Sequence, residues 1–222
     1  MSPTGKSSPQ ALLFDLDGTL VDTARAIAAA LSELAARRGG GPASVADVRK
    51  LVSRGVAELV SGTLGPLAGE SACDVAEFRE ILEQTRTDRE AIYPGAIEAL
   101  RGFTAAGHRC AIVTNKPEGL SRKLLAELDL AQFFTAIVGG DSLPRCKPDP
   151  APLLDAMAQL GASPDATVMI GDSDVDAAAA VAAKVAFILF DGGYGPVGEH
   201  SRKAADHFVD YAGLTALLTP GH

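Results

Sequence analysis

"LLFDLDGTLVDT" (12–23) decides how this chain reads. An apolar run leads directly into Asp15, Asp17, Gly18 and Thr19. A short apolar run closed by a turn signal reads as a buried strand, so its end delivers two carboxylates to one place, where they repel. Taken alone, the D-x-D-G fragment reads equally well as a turn followed by a helix cap. What the rest of the chain brings to the same place decides between the two.

Four more apolar runs follow "ALLF" (11–14): "CAIV" (110–113), "AIV" (136–138), "TVMI" (167–170) and "VAFILF" (185–190). Helical patterns at 95–106, 118–128, 149–160 and 174–183 separate them. Short unalternating strands divided by helices imply a parallel sheet covered on both faces. The expected fold is α/β, a Rossmann-like doubly wound sheet, with ligands at the carboxyl ends of the strands. Residues 21–92 interrupt this alternation. Helical patterns at 22–38, 45–51, 55–64 and 75–90, with "GGGP" (39–42) as a stop, contain no strand. They read as an all-helical insertion hinged near Val21 and Ile92, standing over the end of the first strand. "YPG" (93–95) then restarts the core. The expected organisation is a core of 10–20 and 93–222, an insertion of 21–92, and a disordered tail of 1–9.

Each strand end carries polar groups. Asp15 and Asp17 follow the first, and Thr114, Asn115 and Lys116 follow "CAIV". Lys147 lies in "GGDSLPRCKPDP" after the third, and Asp172, Ser173, Asp174 and Asp176 follow "TVMI". In a parallel sheet these ends share one edge. Asp15, Asp172 and Asp176 are hard oxygen donors suited to Mg²⁺, and the cation offsets the repulsion between carboxylates. Thr114, the backbone N–H groups near Asn115, and Lys147 are donors for a phosphoryl group. Singly, each is a cap, a turn or a solvated loop cation. Together they describe phosphoryl transfer, in which catalysis is mostly positioning and charge stabilisation.

"DLDGTL", "TN", "KPDP" and "GDSDVD" occur in the order of four motifs of the haloacid dehalogenase (HAD) superfamily, whose phosphatase branch the chain resembles. The resemblance covers about residues 10–20 and 93–215, and the insertion stands where that family carries its C1 cap. Within the family, "GGDSLPRCKPDPAPLL" and "DGTLVDT" most resemble bacterial phosphoglycolate phosphatases. The resemblance implies that Asp15 attacks phosphorus to form an aspartyl-phosphate, and that Asp17 protonates the leaving alkoxide and later activates water. It implies a Mg²⁺ site made by Asp15, the Asp17 backbone carbonyl and Asp172, with Asp176 behind them. Thr114, Asn115 and Lys147 are implied to hold the phosphoryl oxygens. A halide-displacing enzyme has no use for the second carboxylate, so Asp17 favours phosphate chemistry. Lys184 stands where relatives often have glycine after a helix, which alters that helix stop.

Substrate choice falls to the insertion and two loops. Arg54 lies at a loop-to-helix junction where its guanidinium could grip a substrate carboxylate; it reads equally as a surface arginine. Tyr194 in "DGGYGP" (191–196) either contacts substrate or packs the loop. The expected substrate is a small anionic phosphate ester such as 2-phosphoglycolate, with another metabolite or sugar phosphate as the alternative. A phosphomutase on the same fold shares the covalent intermediate. A receiver-type signalling domain shares Mg²⁺, Asp, Thr and Lys, but is much shorter and has no helical insertion.

Composition sets the outer limits. The chain has 222 residues, 47% hydrophobic and 22% charged, ordinary values for a folded protein with a core. A net charge of −8 and a pI near 5.0 argue against nonspecific nucleic-acid binding, though not against a local basic pocket. Cys73, Cys110 and Cys146 form no disulfide framework, and His108, His200, His207 and His222 have no zinc spacing. The start of the chain has no apolar signal segment, and the alanine-rich stretch 177–190 is too short to cross a bilayer. The expectation is a cytoplasmic monomer or homodimer without a membrane or nucleic-acid partner.

Overall fold

Burial on both faces dictates the strands. In β1 (Ala11–Phe14) every residue is buried, and successive side chains point to opposite faces. Leu12 and Phe14 enter one apolar cluster with Cys110, Ile112 and Ile170. Ala11 and Leu13 enter another with Ala111, Val113 and Met169. The run does not alternate because neither face meets water. The structure, a computed structural model, describes residues 9–195 and 198–219. The expected tail therefore lies outside the described residues except for Pro9, whose carbonyl accepts a hydrogen bond from His108 Nδ1 at 2.6 Å. Pro196 and His222 also lie outside them.

β2 (Arg109–Val113), β3 (Ala136–Val138), β4 (Thr167–Gly171), β5 (Ala186–Phe190) and β6 (Asp206–Phe208) complete a sheet of order β3-β2-β1-β4-β5-β6. All its pairings are parallel. The sequence reading contained five strands; β6 is an addition. It has three residues, of which only Phe208 is buried, too little pattern to stand out.

Beyond β1 the chain forms α1 (Ala24–Ala36), α2 (Val45–Leu51), α3 (Val56–Leu64) and α4 (Ser71–Gln84). Ile27, Leu31 and Leu34 of α1 pack with Leu59 and Val60 of α3 and Phe78 and Ile81 of α4 in a third cluster. The helix expected over 75–90 begins and ends earlier. Glu70 caps its start by accepting from Cys73 N at 3.0 Å, and the chain leaves the helix at Thr85. The two passages between insertion and core run side by side. Asp22 N donates to Ala91 O at 2.7 Å and Tyr93 N to Leu20 O at 3.0 Å.

The remaining helices cover both faces of the sheet. α5 (Ala96–Ala105), α6 (Glu118–Glu127) and α9 (Tyr211–Leu218) contribute Leu100, Leu125 and Leu214 to the cluster containing Phe14. α7 (Ala151–Leu160) and α8 (Asp174–Ala183) contribute Leu153, Met157 and Ala180 to the other. The chain builds outward from β1 to β3, then returns to β4 on the other side of β1. That reversal makes the ends of β1 and β4 the crevice where this architecture gathers ligands. Among the described residues no helix is long and apolar enough to cross a membrane.

Helix α8 ends at Lys184, which is exposed and lies in the left-handed region at φ 59° and ψ 36°. The stop glycine normally provides is therefore retained, with a side chain that disfavours it. Lys184→Gly is expected to raise stability by about 0.5–1 kcal/mol, the strain relieved less the extra freedom of glycine in the unfolded chain. A thermal melt checks it; an unchanged or lowered Tm contradicts strain at this position.

Candidate active site

Register brings the carboxylates together. Phe14 pairs with Ile170 across β1 and β4, and Asp15 N donates to Ile170 O at 2.9 Å. Asp15 and Asp172 thus leave adjacent strand ends. One oxygen from each of Asp15, Asp172 and Asp176 falls within 4.8 Å of the others, and all three residues are buried. Gly18 makes this approach possible. It turns at φ +88°, and a Cβ there would lie 2.6 Å from Asp172 Oδ2. Thr19 Oγ1 donates to Asp172 Oδ1 at 3.0 Å.

Lys147 is the cation buried among them. Its Nζ lies 2.6 Å from Asp176 Oδ1, 2.6 Å from Val113 O and 3.0 Å from Asp15 Oδ1. The contact with Asp15 is an ion pair by distance, but its direction falls short of a hydrogen bond, so Asp15 Oδ1 is buried without a hydrogen-bond partner. Asp176 also accepts from Ser173 Oγ at 2.6 Å and Ser173 N at 3.1 Å. This reciprocal cap starts α8 and fixes the lysine's partner.

The crowding is expressed in the acids. Burial, then the charges of Asp176 and Asp17, push Asp15 up to about 7 against the opposing pull of Lys147. Burial, then Asp176 and Asp15, push Asp172 up to about 8. Burial works to lower the Lys147 ammonium, but Asp15 and Asp176 outweigh it and hold it above its ordinary value. The cluster has more negative charge than one lysine can balance. Three buried carboxylates offering oxygens within 4.8 Å of one another, with one Asp15 oxygen accepting no hydrogen bond, fit a hard divalent cation such as Mg²⁺.

Asp17 occupies a different environment. It accepts from Thr23 Oγ1 at 2.5 Å and from Lys116 Nζ at 3.1 and 3.3 Å. Asp15, Asp17, Thr114, Asn115 and Lys147 line one cleft, together with Ser53 of the insertion. Asn115 lines the cleft beside Thr114, while its side-chain amide turns to the backbone. Its amide donates to Ser53 O at 3.0 Å and Lys147 O at 2.9 Å, which joins the insertion to the core.

The two residues named for substrate choice both engage other side chains. Arg54 pairs with Glu58 Oε1 at 2.9 Å, one helical turn away, and its side chain is 52% exposed. It does not line the cleft holding Asp15, whereas its neighbours Val52 and Ser53 do. Tyr194 packs the loop and bridges elements. Its backbone N donates to Asp172 Oδ2 at 2.7 Å, while its hydroxyl donates to Asp22 Oδ1 at 2.6 Å and accepts from Ala24 N at 3.0 Å. Lys116 and Thr19 were missed as functional side chains. "TNK" and "DGT" contained them, but only the fold reveals that they face Asp17 and Asp172.

A family model described as haloacid dehalogenase-like hydrolase matches residues 12–190. A phosphoglycolate phosphatase of Cereibacter sphaeroides is 41% identical over 208 residues, 91% of each chain. One from Rhodospirillum rubrum is 37% identical over 215 residues, covering 93% of this chain and 89% of its own. The crystal structure of a predicted phosphoglycolate phosphatase from Haemophilus somnus superposes with a TM-score of 0.83 at 26% identity, over 97% of this chain and 100% of that one. With the motif residues gathered at one sheet edge and likeness running nearly end to end, the chain belongs to the haloacid dehalogenase-like hydrolases.

Proposed function

We propose that this chain is a Mg²⁺-dependent phosphatase that hydrolyses a small phosphate monoester, foremost 2-phosphoglycolate, through an aspartyl-phosphate on Asp15. The observation that carries the reading is the unlike surroundings of the two carboxylates on one loop. Asp15 is buried, with one oxygen ion-paired to Lys147 and accepting no hydrogen bond, whereas Asp17 is hydrogen-bonded by Thr23 and Lys116 at the cleft wall. Relatives named phosphoglycolate phosphatase support the choice of substrate.

In this reading Asp15 attacks phosphorus in line with the ester oxygen. The P–O ester bond breaks as the carboxylate–phosphorus bond forms, and Asp17 gives its proton to the departing alkoxide. Asp17, now a carboxylate, takes a proton from water as that water attacks phosphorus, which releases phosphate and restores Asp15. Splitting the displacement in two lowers each barrier. Asp15 and Asp172 would hold Mg²⁺ together with the Asp17 backbone carbonyl. The bound cation supplies charge stabilisation to the phosphoryl oxygens and to the carboxylates around it. Lys147 balances charge from the opposite side, and Asp176 and Ser173 keep it there. Thr114 at the end of β2 and the backbone beside it offer donors to the phosphoryl oxygens. The helical insertion acts as a cap whose Ser53 turn closes the cleft from above.

Asp15→Asn should abolish turnover of every ester. Asp17→Asn keeps the nucleophile and loses proton transfer, which is worth roughly 10²–10⁴-fold. That loss should be heaviest for alkyl esters, whose leaving groups need the proton. With p-nitrophenyl phosphate, Asp17→Asn should give a p-nitrophenol burst and accumulate phosphoenzyme, because dephosphorylation lacks its base. Rapid-quench mixing checks both; wild-type turnover of an alkyl ester by Asp17→Asn contradicts the division of roles.

Exhaustive chelation should remove activity, and Mg²⁺ should restore it. Ca²⁺ should not, because it takes more ligands and accepts carboxylates bidentately, which ties up the oxygen Asp15 needs for attack. Phosphate release from 2-phosphoglycolate is the assay; full activity after chelation rules out the metal-dependent mechanism.

A further inference from the structure

We infer that Lys116 reads the carboxylate of the substrate, making it the residue that separates a short carboxylate-bearing phosphate ester from uncharged and sugar esters. The inference rests on the phosphatase reading above and names the group that selects its substrate.

A second cleft adjoins the one at Asp15 and shares Asp17, Val52, Asn115 and Lys116 with it. Its further walls are apolar, among them Ile27, Val56, Leu59, Phe78 and Leu82. The leaving group therefore enters a largely greasy chamber. Sugar hydroxyls buried against such walls lose water without gaining partners, which is costly for each one. A small acid needs only one partner, provided that partner is a cation.

Among the described residues lining the two clefts the cations are Lys147 and Lys116. Lys147 is committed to Asp15, Asp176 and Val113 O. Lys116 remains. Its side chain is only 7% exposed, and two of its contacts go to the two oxygens of Asp17. An ammonium has three N–H donors, so a donor is left for a second carboxylate. Arg54, the cation the sequence put forward for this task, pairs with Glu58 at the surface and lines neither cleft.

Reach supports the same residue. In 2-phosphoglycolate the carboxyl carbon is two bonds of about 1.5 Å from the ester oxygen, and that oxygen must lie at Asp17 to receive its proton. The carboxylate consequently ends beside Asp17, and a charge taken out of water there is costly unless a cation pairs with it. Lys116, at 3.1 Å from Asp17, is in that place. One ammonium then orients the acid and holds the substrate end nearest to it.

The test compares 2-phosphoglycolate with 2-hydroxyethyl phosphate, the same length without the charge, in wild type, Lys116→Met and Lys116→Arg. Because Lys116 also touches Asp17, both activities fall in Lys116→Met, and the readout is the ratio of their kcat/KM values. That ratio should collapse by about 10- to 100-fold in Lys116→Met, the worth of a charged hydrogen bond, and should be retained in large part in Lys116→Arg. An equal loss on both esters overturns the inference, since Lys116 then acts only through Asp17. A preference for 2-phosphoglycolate that survives in Lys116→Met also overturns it, leaving the phosphatase reading intact. A wild-type protein without that preference removes the substrate reading and the inference together. Circular dichroism verifies folding; if Lys116→Met does not fold, Lys116→Gln supplies the same ratio.

Discussion

Three carboxylates buried around one ammonium are the constraint on which this structure depends. Asp15, Asp172 and Asp176 meet at the ends of β1 and β4 because a parallel register aligns those ends. Like charges in a buried site disfavour ionisation, and Asp15 and Asp172 are accordingly pushed up to about 7 and about 8. The sign follows from linkage. Without a cation the folded chain keeps protons that the unfolded chain gives up near pH 3.8. The stability held at low pH is therefore lost as pH rises through the folded values. A divalent cation removes this conflict, and the surrounding groups are arranged to tolerate it. Gly18 opens room, Thr19 and the 194–195 backbone hold Asp172, and Ser173 holds Asp176.

Most of this framework was readable in advance, for a physical reason. A strand buried on both faces leaves an unbroken apolar run, and five of the six strands did so. The polar residues after those runs converge because parallel strands share one edge, so Asp15, Asp17, Thr114, Lys147, Asp172 and Asp176 could be grouped before the fold was seen. What escaped lacked such a pattern. β6 has a single buried residue. Arg54 pairs with an acid four residues on, in the first turn of α3. Lys116 looked like any loop lysine, because its value comes from Asp17, which lies 99 positions away in sequence.

Insertion and core are joined by Leu120 of α6, which packs into the insertion's apolar cluster, and by several polar contacts. Tyr194 touches both, through Asp172 on one side and Asp22 and Ala24 on the other, and the Arg49 guanidinium lies 5.4 Å from its ring centre while pairing with Asp22. Asn115 does the same through Ser53 and Lys147 O. The loops that organise the acids are thus also those on which the insertion rests.

The most direct test of the account is the effect of Mg²⁺ on folding stability, read by calorimetry on chelator-treated wild type and Asp172→Asn. At about one hundred times its dissociation constant, a ligand specific to the native state adds ~2.7 kcal/mol, or about 5–10 °C in Tm for a chain of this size. The account predicts that rise in the wild type and little or none in Asp172→Asn. A wild-type Tm indifferent to Mg²⁺, or the same rise in both proteins, would contradict a cation site at the joined ends of β1 and β4.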